Sequence, residues 1–287
     1  MEIDREKITA QKVVDKYLGR DVKPVIMLLD LFREHNEKCR KLSGNGMAPA
    51  TVKRYETSLR HTEAFIQFQF GKSDIPVSEV DHKFITDYEF YLRSERNCCH
   101  NSAVKYLKNF GKIVRIAIVN DYLAKDPFAN IRFKFEETDP CFLSEDEVQS
   151  LIDKPIAIKR LAVVRDTFVF QCFTGLSFSD VKGLRSEHII SDNDGALWIR
   201  KKRQKTGNMC NIPLLDPARD ILDRYKYHPV CLKNGVLLPV ISNQKMNAYL
   251  QELADICGIT KRISSHAGRH SNLSFGQKTS ELHIGNF

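Results

Sequence analysis

One run constrains this chain more than any other. Residues Leu161 to Phe170 are largely apolar, Thr174-Gly175 breaks the pattern, and Ser177-Phe178-Ser179-Asp180-Val181 follows. The run is too long for an ordinary strand, so it predicts a buried helix. A second helix begins after the break, with Ser177 or Ser179 as cap and Asp180 in its first turn. A helix N-terminus presents free N–H groups and suits a phosphate.

Length allows one large domain or two ordinary ones, since the chain has 287 residues. Its 42% hydrophobic and 28% charged content is that of a globular protein. Lysine and arginine exceed aspartate and glutamate to give +8. That balance favours a polyanion, nucleic acid first. No apolar run is long enough for a membrane span, and residues 1–20 carry no signal-peptide core, so a cytoplasmic location is expected. None of the eight cysteines forms C-x-x-C. They read as free core thiols in a reducing compartment, with no metal and no cofactor expected.

Residues 1–20 hold a short helical pattern (Ile8, Val13, Val14, Tyr17, Leu18), a linker or the end of an upstream region. A helical domain is expected over 21–135. Pro24 admits a helix with Val25, Leu28, Leu29 and Phe32. Pro49-Ala50-Thr51 opens another, with Lys53 and Arg60 on one side of it. Asp81 caps a third, bearing Phe84, Ile85, Tyr88, Phe90, Tyr91 and Leu92. In a fourth, from about Asn101 to Val119, Lys105, Lys108, Lys112 and Arg115 recur at steps of three and four, one basic stripe. A solvated outer face is the alternative. The near absence of acid favours contact with phosphates, because solubility alone usually mixes signs.

Residues 131–140 alternate apolar and charged and reach Pro140, which reads as an extended linker, with 136–140 as the boundary. A second domain, 141–287, opens on a capping box, Ser144 with Glu147. Ala196-Leu197-Trp198-Ile199 and Asn211-Ile212-Pro213-Leu214 predict a hairpin whose basic tip includes Lys202, Arg203 and Lys205. Asp216-Pro217 and Ser242 start two further helices, the second with Met246, Tyr249, Leu250, Leu253 and Ile256 inward. Ser264-Ser265-His266-Ala267-Gly268-Arg269-His270 then puts His266 and Arg269 on one helical face, where both can meet one phosphate.

Three of these stretches, in this order, resemble the tyrosine recombinases of the phage-integrase family. Thr174-Gly175-Leu176 with Asp180 is similar to the family's first box, with Ser177 where arginine is usual; some conjugative-transposon integrases are similar in this departure. Arg203-Gln204-Lys205-Thr206-Gly207 followed by Ile212-Pro213-Leu214 resembles the hairpin that carries the catalytic lysine, here Lys205. His266-x-x-Arg269-His270 resembles the second box. The resemblance implies a mainly α fold with a small antiparallel β-sheet: a helical core-binding, SAM-like domain, then a tyrosine-recombinase catalytic domain, together closing as a basic clamp on duplex DNA. It also implies site-specific recombination for a mobile element. A tyrosine hydroxyl attacks the scissile phosphate, arginines and histidine stabilise its oxygens, and lysine protonates the leaving 5′-oxygen without a metal. Asp180 is expected to orient His266 or Arg269.

The family pattern stops near residue 270. No tyrosine follows Tyr249, which lies on an apolar face. The expectation is a catalytic domain truncated or altered there, one that binds DNA without cleaving it and self-associates weakly. A non-catalytic DNA-binding fragment or regulator is the alternative. A helical protein-binding scaffold is a third reading.

Overall fold

The computed structural model describes residues 25–271. The helical pattern expected in 1–20 and the residues after 271 lie outside them. The chain divides into two compact units, Met1–Glu137 and Thr138–Phe287.

The described part of the first unit is helical. It comprises α1 (Leu28–Lys41), α2 (Pro49–Phe70), α3 (His82–Ser94) and α4 (His100–Val119). Asp81 caps α3 as expected, its Oδ1 accepting from the Phe84 N–H at 2.7 Å. Phe65, Phe84, Tyr88 and Phe110 from three helices form an aromatic core, with Phe65 centred 5.0 Å from both Phe84 and Tyr88. Fully burying one such ring contributes roughly 1.5–3 kcal/mol. Phe90 and Val25, apolar residues named in these helical patterns, are 70% and 64% exposed. Phe90 sits on the outer face of α3, and Val25 precedes α1.

Residues 131–136 are extended, as read, but they are docked. Ile131 and Phe133 pack on the helical core. The His100 ring lies 2.8 Å from the Lys134 carbonyl, and Asn101 exchanges two hydrogen bonds with the Glu136 backbone.

The second unit is built round α6 (Lys159–Thr174), whose left-handed C-terminal residue is Gly175 at φ +62°. Only glycine adopts that conformation without strain. One side of α6, with Leu161, Val164, Phe168 and Cys172, packs against α10 (Asn243–Ile256) and Ala267. The other, with Val169 and Phe170, packs against the sheet and α8 (Asp216–Tyr225). Apolar residues on nearly every face are what a central helix needs. The capping box of α5 (Glu145–Asp153) is formed by Ser144 and Glu147. A five-residue α7 (Phe178–Lys182) and a six-residue α9 (Pro229–Asn234) complete the helices that precede 265–271.

The sheet is antiparallel, β1 (Ile189–Ser191), β2 (Leu197–Lys202) and β3 (Met209–Pro213), in that order. Pro213 is on the edge strand, where its missing N–H costs nothing. Strand β1 was not expected, and β2 extends through Lys202, so Arg200, Lys201 and also Lys202, which was expected in the tip, belong to the strand. Leu215, not Asp216, is the cap of α8. Ile256, expected inward, is exposed. Half of the cysteines depart from the core reading: Cys99 is exposed, and Cys98, Cys141 and Cys257 are half-buried.

Candidate active site

Ser177 is the cap of α7, not Ser179. Its hydroxyl accepts from the Asp180 N–H at 3.3 Å and donates to Asp180 Oδ2 at 2.6 Å. The helix is only five residues long and this N–H is already taken, so the phosphate-binding N-terminus expected here is not available in that form. Asp180 is buried. Its Oδ1 accepts from the Gln204 N–H at 2.9 Å. The expectation that Asp180 orients His266 or Arg269 is thereby corrected. Its hydrogen bonds go to the box's own serine and to the hairpin backbone, and they pin the peptide before Lys205.

The third segment is the helix over 265–271. Its N-terminus is held by α10: the Ser265 N–H donates to Asn247 Oδ1 at 2.9 Å, and the Ser265 hydroxyl donates to Asn243 Oδ1 at 2.8 Å. Its middle lies tight on α6. A Cβ on Gly268 would meet Gln171 Cβ and the Phe168 ring at 3.2 Å. That approach leaves His266 and Arg269 on the exposed face.

The fold brings Lys205 and this helix into one electrostatic environment. The His266 imidazole is held below the usual histidine value, first by partial desolvation, then by the positive fields of His270, Arg269 and Lys205. The His266 and His270 rings meet edge to face at 4.6 Å. Among the described residues no carboxylate lies within ion-pair distance of Lys205, His266 or Arg269. Such a cluster lowers its own repulsion by taking an anion.

Arg203 is half-buried, and its Nη1 is buried with no hydrogen-bond partner among the described residues. A buried donor without an acceptor costs about 1–3 kcal/mol. Lys202 is exposed. Lys201 instead donates to the Gly183 carbonyl at 2.9 Å, which makes it part of the scaffold. Tyr249 is half-buried on α10 under the Arg160 guanidinium, 4.5 Å from its ring centre.

In the first unit, Lys105, Lys108, Lys112 and Arg115 are all exposed on one side of α4, and none has a carboxylate partner among the described residues. Two are poised by aromatics. Lys108 Nζ lies 4.0 Å above the Phe135 ring, and Lys112 Nζ donates to Tyr55 Oη at 3.0 Å. Lys53 and Arg60 are exposed on α2, Arg60 donating to Thr57 Oγ1 at 3.2 Å. The acids of α2 face α1 instead, where Glu56 pairs with Arg40 and Glu63 with Arg33 at 2.9 Å each. Opposite charge thus goes to helix pairing on one side, and the basic stripe is left uncompensated on another.

Residues 27–137 match the family model described as "Phage integrase SAM-like domain". The chain is 24% identical over 245 residues to tyrosine recombinase XerD of Shewanella oneidensis, covering 80% of this chain and 77% of that one. It is 22% identical to tyrosine recombinase XerC of Pelotomaculum thermopropionicum, covering 78% of each. The first unit thus matches an integrase domain, and the chain as a whole is similar to tyrosine recombinases. Its fold is that of lambda integrase: a structure of residues 75–356 of that protein, a dimer bound to a COC' core site, superposes with a TM-score of 0.68 at 17% identity, covering 88% of each chain. The Tn1549 transposon integrase in complex with circular intermediate DNA gives 0.66 at 14%, again over 88% of each. Sequence motifs picked out the exposed basic residues Lys205, His266 and Arg269. They missed the side chains beneath, Gln171, Gly268 and the Asp180–Gln204 bond, because these act through contacts between distant segments.

Proposed function

We propose that this chain is a DNA recombinase of a mobile element whose 287 residues, by themselves, bind duplex DNA without cutting it. The observation that carries the reading is the carboxylate-free cluster of Lys205, His266 and Arg269, which suits one phosphate. Lys53, Arg60, Lys105, Lys108, Lys112 and Arg115 of the first unit contact phosphates of the duplex, and Lys202 and Arg203 of the second do so as well. The partner is duplex DNA and the location is cytoplasmic. Self-association on DNA is extended to this chain from lambda integrase, whose structures are described as a dimer on a core site and a tetramer on a Holliday junction.

In the family's chemistry a tyrosine oxygen attacks phosphorus and the P–O5′ bond breaks, while lysine gives its proton to the leaving oxygen. The donors stabilise a transition state that needs that nucleophile. Residues 250–287 contain no tyrosine, and Tyr249 is engaged under Arg160. A second reading, a non-catalytic regulator that occupies DNA, is favoured by Ser177 standing where the family usually has arginine. The test uses nicked suicide duplexes with a randomised core. The expected result is a shifted band on a native gel and no covalent band on a denaturing one. A covalent band lost on Tyr249→Phe contradicts the proposal and makes Tyr249 the nucleophile.

A further inference from the structure

The helix that includes 265–271 carries His266 and Arg269, and a buried hydroxyl just beyond them, at Ser271, ties it down. Ser271 is fully buried. Its Oγ donates to the Ala267 carbonyl at 2.9 Å and accepts from the Leu143 N–H at 2.9 Å. It also bonds the Cys172 thiol, which burial pushes up to about 12. One hydroxyl therefore joins the cation-bearing helix, the central helix α6 and the first residues of the second unit. Leu143 is itself fully buried and directly precedes the Ser144 cap of α5. Lys261 holds the same stretch from the other side, donating to the Phe142 carbonyl at 3.2 Å and to Glu147 Oε2 at 2.6 Å.

We propose that Ser271 is a positioning residue. By locking this helix at Ser271 to Leu143, it sets the rotation at which His266 and Arg269 present their donors beside Lys205. At Gly268 the helix has no side chain, so contact with Gln171 and Phe168 fixes its distance from α6. That contact alone does not fix rotation about the helix axis. The bonds of Ser265 to Asn243 and Asn247 hold the helix at its start, and the Leu143 N–H holds it at Ser271. An unpaired buried Leu143 N–H after loss of the hydroxyl would seek another acceptor and move the segment. The role in presenting a phosphate rests on the function proposed above, whereas the positioning of His266 does not.

The experiment compares Ser271→Ala with Ser271→Thr, which keeps a hydroxyl, in the full chain. The first readout is the His266 titration by NMR. The Ala variant is expected to move the His266 value back toward that of an ordinary histidine, and the Thr variant to restore it. The second readout is affinity for a fluorescent duplex, alone and in an Arg269→Ala background. Ser271→Ala is expected to weaken binding about five- to tenfold, and most of that loss is expected to vanish when Arg269 is already gone. An unchanged His266 titration in a folded Ser271→Ala chain, or a shifted one that Thr fails to restore, overturns the proposal. If the titration moves while Arg269→Ala leaves affinity unchanged, positioning stands and the phosphate assignment falls.

Discussion

His266 is the residue whose chemistry is most exposed to test. Its imidazole already resists protonation because of desolvation and then the fields of His270, Arg269 and Lys205. A phosphate beside it favours the imidazolium, so binding takes up a proton. Affinity for DNA is then expected to rise as pH falls through the ordinary histidine range, about 6.5, toward the lowered value. Anisotropy titrations over that range should show this rise, and His266→Gln should flatten it. A pH dependence that survives the substitution would move the protonation to another group. Lys205, His266 and Arg269 were legible because each sits in a short motif. The bond from Gln204 to Asp180 was not, since its partners are 24 residues apart and nothing in the local pattern names the acceptor. The same blindness produced the mistaken role for Asp180.

At the scale of elements, long helices were legible because their apolar period repeats over several turns. The three-residue β1 is too short to carry a period, and an apolar residue such as Phe90 reads as core until its neighbours are placed. The α4 stripe was legible as charge, though not the aromatic rests under it. Lys108 and Lys112 are held by Phe135 and Tyr55, so they lose less side-chain entropy on meeting phosphate. Replacing both by alanine should weaken binding similarly across DNA sequences and flatten the salt dependence by about one to two units. An unchanged slope would make the stripe a solvated face. A second element-level test concerns the joint between α6 and α8. Buried Asp166 accepts from Arg224 Nη1 at 2.7 Å and Tyr225 Oη at 2.8 Å, and pairs with Arg165 at 2.9 Å. Asp166→Ala strands these donors and should cost about 2–4 kcal/mol by urea denaturation. A cost below about 1 kcal/mol would mean that water replaces the carboxylate.

At the scale of the whole molecule, the chain divides into two compact units between Glu137 and Thr138. The sequence placed a linker over 136–140 through Pro140 and the capping box at Ser144. It did not mark the docking of 131–136, which depends on His100 and Asn101. We therefore propose that limited proteolysis without DNA cuts first in 137–141, just beyond the docked stretch. First cleavage inside α4 would contradict separate units. The central claim is that Lys205, His266 and Arg269 bind a DNA phosphate. Its most direct measurement is the salt dependence of duplex affinity for the chain and for a triple variant with all three changed to alanine. The account predicts that log affinity falls steeply with log salt for the chain, and that the variant binds more weakly with a slope lower by about two to three units. Identical affinities and slopes for the two proteins would contradict it.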